Sequence, residues 1–121
     1  MKIKVCGITS VDQLLSLEQL GVDYAGLIFY ERSPRYIARH KFVPSALDAT
    51  NSKIKKIGVF VNAEEDEIRK VIDDWGLEMV QLHGDESPVF CEKIANHVKT
   101  IKAFRVGPDM SLSYKIAPYQ N

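Results

Sequence analysis

The chain has 121 residues, of which 45% are hydrophobic and 26% are charged, and its 16 Lys and Arg balance 16 Asp and Glu. This length and composition are typical of one soluble globular domain. The sequence has no run of about 18 apolar residues, so it predicts no transmembrane helix, and its zero net charge weighs against a nucleic-acid or acidic-membrane partner.

The start of the chain and its cysteines predict a cytoplasmic protein. Residues 1–4 lead into a short mixed stretch that contains Asp12 and lacks the apolar region of a signal peptide. The two cysteines, Cys6 and Cys91, have no C-x-x-C spacing, which fits a reducing compartment.

In chain order, short apolar runs alternate with segments of helical periodicity. A strand over residues 3–6 is followed by a helix that Thr9 or Ser10 can cap and that Gly21 ends. A strand over 24–29 leads into a basic, irregular loop over 30–40 and a weak helix over 41–49, which Pro44 interrupts. The remaining predictions are strands over 57–61, 78–82 and 98–104, and helices over 64–75, 88–95 and 110–117.

This alternation predicts five βα units with a parallel sheet. Most strand ends recur about every 22 residues, a spacing that suits βαβ crossovers. By architecture alone, a chain of this length also fits a compact flavodoxin-like domain with strand order 2-1-3-4-5, such as a signalling receiver or a flavin binder. A receiver needs acidic residues after strand one and an Asp after strand three, where this sequence has Cys6 and Asn62.

Polar side chains cluster at the carboxyl ends of the predicted strands, where α/β sheets and barrels bind ligands. Because side chains alternate along a strand, Lys4 shares one face with Cys6, and Gln81 shares one face with His83. Two more polar residues follow strands three and five, namely Asn62 and Arg105.

Each of these residues also has a purely structural interpretation. Cys6 could be a buried thiol, although a neighbouring Lys4 would favour the reactive thiolate. His83 could be a hydrogen-bonded structural histidine, and Gln81 could satisfy backbone groups. Arg35 in the loop after strand two could be a solvated surface charge, but its position also suits an anionic ligand.

Motifs for several other chemistries are absent from the sequence. It contains neither G-x-x-x-x-G-K-[ST] nor G-x-G-x-x-G, so nucleotide-binding fingerprints are missing. The three histidines have no metal-ligand spacing, and no nucleophile elbow is present.

Five segments together resemble the phosphoribosylanthranilate isomerase family. They occur in order and at the family's spacing, and they carry the letters KVCGIT at 4–9, GLIFY at 26–30 with SPRY at 33–36, GVFVN at 58–62, QLHGDE at 81–86 and KAFR at 102–105. Each segment alone is a weak signal, but five in register across the whole chain are specific.

The resemblance implies a (βα)8 TIM barrel that acts in tryptophan biosynthesis. The implied reaction is the Amadori rearrangement of N-(5-phosphoribosyl)anthranilate to 1-(2-carboxyphenylamino)-1-deoxyribulose 5-phosphate, without metal or organic cofactor. Cys6 then matches the general base, Arg35 the arginine near the anthranilate end of the substrate, and Gln81 and His83 the pocket of strand four. To these we add three further substrate-binding residues, namely Lys4 and Asn62 from side-chain alternation along their strands and Arg105 from its position after strand five.

The same resemblance predicts that residues 1–121 are one incomplete barrel domain of five βα units. The family's general-acid aspartate and its phosphate loops belong to strands six to eight, which are absent here. We therefore expect the chain alone to have little or no isomerase activity, and to associate with itself or with the missing half. The alternative is a non-catalytic fragment that only binds an aromatic acid.

Overall fold

The computed structural model describes residues 2–40, 42–48 and 52–104. In this part of the chain, one sheet of five parallel strands is built in sequential order, each strand pairing with the next. The strands are β1 (Lys4–Cys6), β2 (Tyr24–Ile28), β3 (Lys55–Phe60), β4 (Met79–Leu82) and β5 (Lys99–Lys102). The five predicted strands and their parallel arrangement are confirmed.

Helices connect the strands as the periodicity predicts. They are α1 (Val11–Gln19), α2 (Pro44–Asp48), α3 (Glu65–Trp75) and α4 (Pro88–Ala95). Helix α2 is shorter than the predicted 41–49, because proline fits the first turn of a helix but not its interior. A short 3-10 helix, Ile37–His40, forms at the end of the loop predicted to be irregular. The helix predicted over 110–117 lies outside the described residues.

Capping residues fix three of the helix ends. The Ser10 hydroxyl accepts a hydrogen bond from the Gln13 N–H at 3.2 Å, so Ser10 rather than Thr9 caps α1. The Ser87 hydroxyl accepts one from the Phe90 N–H at 3.1 Å at the start of α4. Gly76 ends α3 in the left-handed region with φ 63°, a conformation that glycine adopts without a Cβ penalty.

The strand order excludes the flavodoxin-like alternative. That fold places β1 between β2 and β3, in the order 2-1-3-4-5. Here β2 lies between β1 and β3, with Cys6 opposite Gly26 and Gly26 opposite Ile57. The flavodoxin-like prediction is therefore wrong, because apolar periodicity identifies strands without fixing which of them are neighbours.

One face of the sheet packs against the helices and forms the main core. Phe60, Val80 and Leu82 are fully buried there, together with Leu14 of α1 and further apolar side chains. The rings of Phe29, Phe42 and Trp75 extend this core through edge and stacked contacts with centroids 5.3–5.6 Å apart.

The opposite face is concave. The Lys4 ammonium on β1 donates a hydrogen bond to Oε1 of Gln81 on β4, although two strands separate β1 from β4. In a flat sheet those strands would lie about 14 Å apart, too far for the two side chains to meet readily. The sheet therefore curls so that this face lines the inside of a barrel-like surface, with Cys6 on the same side.

Gly58 on β3 leaves space that the core requires. A Cβ at this position would lie 2.5 Å from Cδ1 of Leu77 and 2.9 Å from Cε2 of Phe60, and both side chains are buried. We expect Gly58→Ala to lower the free energy of unfolding by about 1–3 kcal/mol through overpacking. Urea denaturation measures this change, and an unaltered midpoint would show that the core relaxes freely around the methyl group.

Candidate active site

Cys6 ends β1 on the concave side, and its surroundings make room for the thiol. Its partner on β2 is Gly26, where a Cβ would lie 3.0 Å from the Cys6 Sγ. The Gly26 carbonyl accepts hydrogen bonds from the N–H groups of Gly7 at 2.9 Å and Ile8 at 3.1 Å. These two bonds fix the turn that follows Cys6, and the thiol remains partly accessible.

Arg35 reaches back from the loop after β2 to the end of β1. Its guanidinium lies against Gly7, where a Cβ would be 2.7 Å from both Cδ and Nη1 of Arg35. Gly7 also has φ 86°, which favours glycine. Arg35 and Cys6 border the same open groove beside α1. The structure thus brings together two residues that are distant in the sequence and that the resemblance assigns to substrate chemistry.

Polar side chains of β1 and β4 meet on the concave face. The half-buried Lys4 donates to Gln81 Oε1, and Gln81 Nε2 lies 3.4 Å from Nδ1 of the exposed His83. Lys4 was predicted to share a face with Cys6, and Gln81 with His83. The hydrogen bond between Lys4 and Gln81 places both pairs on the same concave face. The N–H of His83 donates to the Phe60 carbonyl at 2.9 Å, which continues the β3–β4 hydrogen bonding to the base of the site.

Asn62 connects two loops at the carboxyl edge of the sheet. It has φ 53°, a left-handed conformation that asparagine tolerates better than most residues. Its Oδ1 accepts a hydrogen bond from the Asp85 N–H at 2.8 Å, and its own N–H donates to Glu86 Oε2 at 2.9 Å. Its role as a substrate ligand stays a prediction, and Arg105 lies outside the described residues.

Glu86 is a site component that sequence reasoning missed. It is 5% exposed and is the one buried polar or charged residue among those described. Its carboxylate accepts hydrogen bonds from the N–H of Gly84 at 2.9 Å and from Lys102 Nζ at 2.9 Å, in addition to Asn62. Lys102 also donates to the Gly84 carbonyl. The sequence signal that could have revealed Glu86 was Lys102, since a lysine in a half-buried strand needs a partner of opposite charge.

Two opposing effects act on the Glu86 carboxyl. Burial acts to raise its pKa, but the hydrogen bonds from Lys102 and Asn62 outweigh burial, so the net pKa lies below the ordinary value. The carboxylate therefore stays ionised beside the Lys102 ammonium. By contrast, burial raises the pKa of the Cys91 thiol, which packs against the core.

Neither a metal-ion site nor a membrane-spanning helix is present in the part of the chain that the structure describes. Across residues 2–40, 42–48 and 52–104, no three side chains of His, Cys, Asp or Glu are arranged to hold a metal ion. Over the same ranges, no helix has the length and apolar character needed to span a membrane.

The sequence model of the N-(5'phosphoribosyl)anthranilate (PRA) isomerase family matches residues 3–121. The chain belongs to this isomerase family. The N-(5'-phosphoribosyl)anthranilate isomerase of Citrifermentans bemidjiense is 38% identical over 122 residues, which cover 98% of this chain and 58% of that relative. The chain thus spans less than two thirds of the length of the relative.

Solved structures of the family have the same fold. The isomerase of Thermotoga maritima is 36% identical, with a TM-score of 0.79 over 88% of this chain and 51% of that chain. A second isomerase, solved in complex with reduced 1-(o-carboxyphenylamino)-1-deoxyribulose 5-phosphate, is 31% identical, with a TM-score of 0.84 over 97% of this chain and 60% of that chain. The five-stranded parallel sheet therefore has the same fold as the regions of these isomerases that it matches.

We expect the stability of the protein to depend on pH through Glu86. Since the folded state lowers the pKa below the ordinary value of 4.5, the stabilisation is complete above that value and is lost as the pH falls through the folded-state pKa. Glu86→Gln should abolish this loss below about pH 4.5 and should lower the free energy of unfolding at neutral pH by about 3 kcal/mol.

Urea denaturation at a series of pH values measures both effects. The matched control is Glu92→Gln, because Glu92 is an exposed residue of α4. Equal pH profiles for wild type and Glu86→Gln would contradict the assignment, and so would an equal loss of stability in the control.

Proposed function

We propose that the protein acts as a phosphoribosylanthranilate isomerase. The observation that carries this proposal is the position of Arg35 against Gly7, the residue that follows Cys6 at the end of β1, in a chain whose family is established by residues 3–121. A thiol base and a nearby guanidinium are the pair needed to remove a proton from a substrate whose carboxylate is held in place.

Cys6 is proposed as the general base of an Amadori rearrangement. As the thiolate, it takes the proton from the sugar carbon next to the anomeric centre after the ring has opened to the iminium, and the electron pair moves towards the iminium nitrogen to give the enol-amine that tautomerises to the ketose. A general acid gives a proton to the ring oxygen as the furanose opens. The space left by Gly26 beside the sulfur supports this role, since position 26 places no side chain against the thiol.

Arg35 is proposed to bind the anthranilate carboxylate. A planar guanidinium can pair with a carboxylate through two parallel hydrogen bonds. The closeness of Arg35 to Gly7 supports this role, because the guanidinium then lies next to the strand end that carries Cys6. Gln81 and His83 are proposed to line the substrate pocket at strand four, while Lys4, Asn62 and Arg105 stay predictions as substrate ligands.

The substrate class is proposed from the same family. One solved relative holds a reduced carboxyphenylamino-deoxyribulose phosphate, which carries a carboxylate and a phosphate. We propose that this chain binds the carboxylate half of such a compound. The phosphate loops and the general acid are proposed to belong to the further βα units of one barrel domain, of which residues 1–121 supply five.

This division of the barrel has consequences for partners and location. The chain alone is expected to show little turnover, and it is expected to pair with the missing half or with a second copy. A biosynthetic isomerase whose described cysteines are free thiols is proposed to work in the cytoplasm.

The test compares the chain alone with the chain joined to the part of the Citrifermentans bemidjiense isomerase that follows the matched region. Conversion of N-(5-phosphoribosyl)anthranilate is followed by chromatography. We expect turnover from the joined protein, and a loss of at least about 100-fold on Cys6→Ser because the general base is removed.

Cys91→Ser is the matched control, since Cys91 is a core thiol of α4 and should leave turnover unchanged. Turnover that survives Cys6→Ser in the joined protein would refute the assignment of the base. If the joined protein binds the reduced product analogue in calorimetry but shows no turnover, the non-catalytic binding fragment is favoured instead.

A further inference from the structure

Lys4, Gln81 and His83 form a continuous row of polar contacts on the concave face. The chemistry of the lysine decides which groups in this row donate and which accept. A lysine ammonium has three donors and no acceptor. Lys4 can therefore bind only the oxygen end of the Gln81 amide, as the contact with Oε1 records. The ammonium thus orients an amide whose two ends are otherwise nearly interchangeable in shape.

The orientation of Gln81 in turn acts on His83. With Oε1 held by Lys4, the amide nitrogen Nε2 faces His83 Nδ1 at a distance of 3.4 Å. An amide NH2 only donates, so Nδ1 must accept and carries no proton. In a neutral imidazole the proton then lies on Nε2.

We propose that Lys4 and Gln81 are positioning residues that hold His83 as the neutral Nε2–H tautomer. The ring then presents a hydrogen-bond donor at the carboxyl edge of the sheet, where the exposed side chain is accessible to a ligand. In the isomerase proposed above, on which this part of the interpretation rests, that N–H is the group His83 offers to a substrate oxygen. The proposal gives Lys4 a task distinct from any action on the Cys6 thiol.

The fixed backbone of His83 supports the proposal. Its N–H donates to the Phe60 carbonyl, so the residue continues the ladder between β3 and β4. Gln81 lies two residues earlier on the same strand and therefore on the same face. The two side chains are held next to each other by the strand itself, and only the orientation of the amide remains to be set.

The test observes the ring nitrogens directly and needs neither substrate nor turnover. The full chain is labelled with 15N-histidine, and long-range 1H–15N spectra are recorded at about pH 8, where an ordinary histidine is neutral. His83→Gln identifies the His83 signals. Because imidazole in water already favours the Nε2–H tautomer, the decisive observation is the change in variants.

Gln81→Glu replaces the amide donor with a carboxylate that only accepts. We expect the ratio of Nδ1-protonated to Nδ1-unprotonated His83 to rise at least about tenfold. Lys4→Met frees the amide to turn, so the same ratio should rise by a smaller factor. Lys2→Met and Gln19→Glu are the matched controls, since both residues are exposed and lie away from His83.

Thermal unfolding followed by circular dichroism verifies that each variant is folded. An unchanged His83 spectrum in folded Gln81→Glu and Lys4→Met would overturn the proposal, and so would equal changes in the controls. An inactive joined protein would overturn the proposed function while leaving this result intact, because the spectra are recorded without substrate.

Discussion

The carboxyl edge of the sheet depends on one buried carboxylate. Glu86 accepts hydrogen bonds from the loop that follows β3, from its own loop and from Lys102 on β5. A charge removed from water requires such donors. The three segments therefore cannot move apart without exposing the carboxylate to water or leaving it buried without hydrogen-bond donors. The turn at Asn62 and the start of the loop after His83 are therefore set by a residue that contacts no proposed reacting atom.

The two faces of the sheet have separate tasks. The outer face buries apolar side chains such as Phe60 and Leu82 against the helices, and this packing stabilises the fold. The concave face carries the polar groups Lys4, Cys6 and Gln81 within the curl of the sheet. Glycines at positions 26 and 58 serve one face each, since Gly26 leaves room for the thiol and Gly58 leaves room for the core.

Much of this arrangement could be predicted from the sequence, for identifiable reasons. Strands, helices and the caps at Ser10 and Ser87 follow from local patterns, and the segments around Cys6 and Arg35 carry the family resemblance. The order of strands could not be derived from periodicity, which contains no information on neighbours. Glu86 was missed because an acid in a polar loop resembles a solvated one until its distant partner is known.

The sequential order of the sheet also bears on how the protein is assembled during synthesis. Each strand pairs with the one made just before it, so the sheet can grow strand by strand as the chain emerges. The contact between Lys4 and Gln81 is different, since 77 positions separate the two residues. The ribosome must therefore have made β4 before Lys4 acquires its partner across the concave face, whereas the pairing of β1 with β2 becomes possible much earlier.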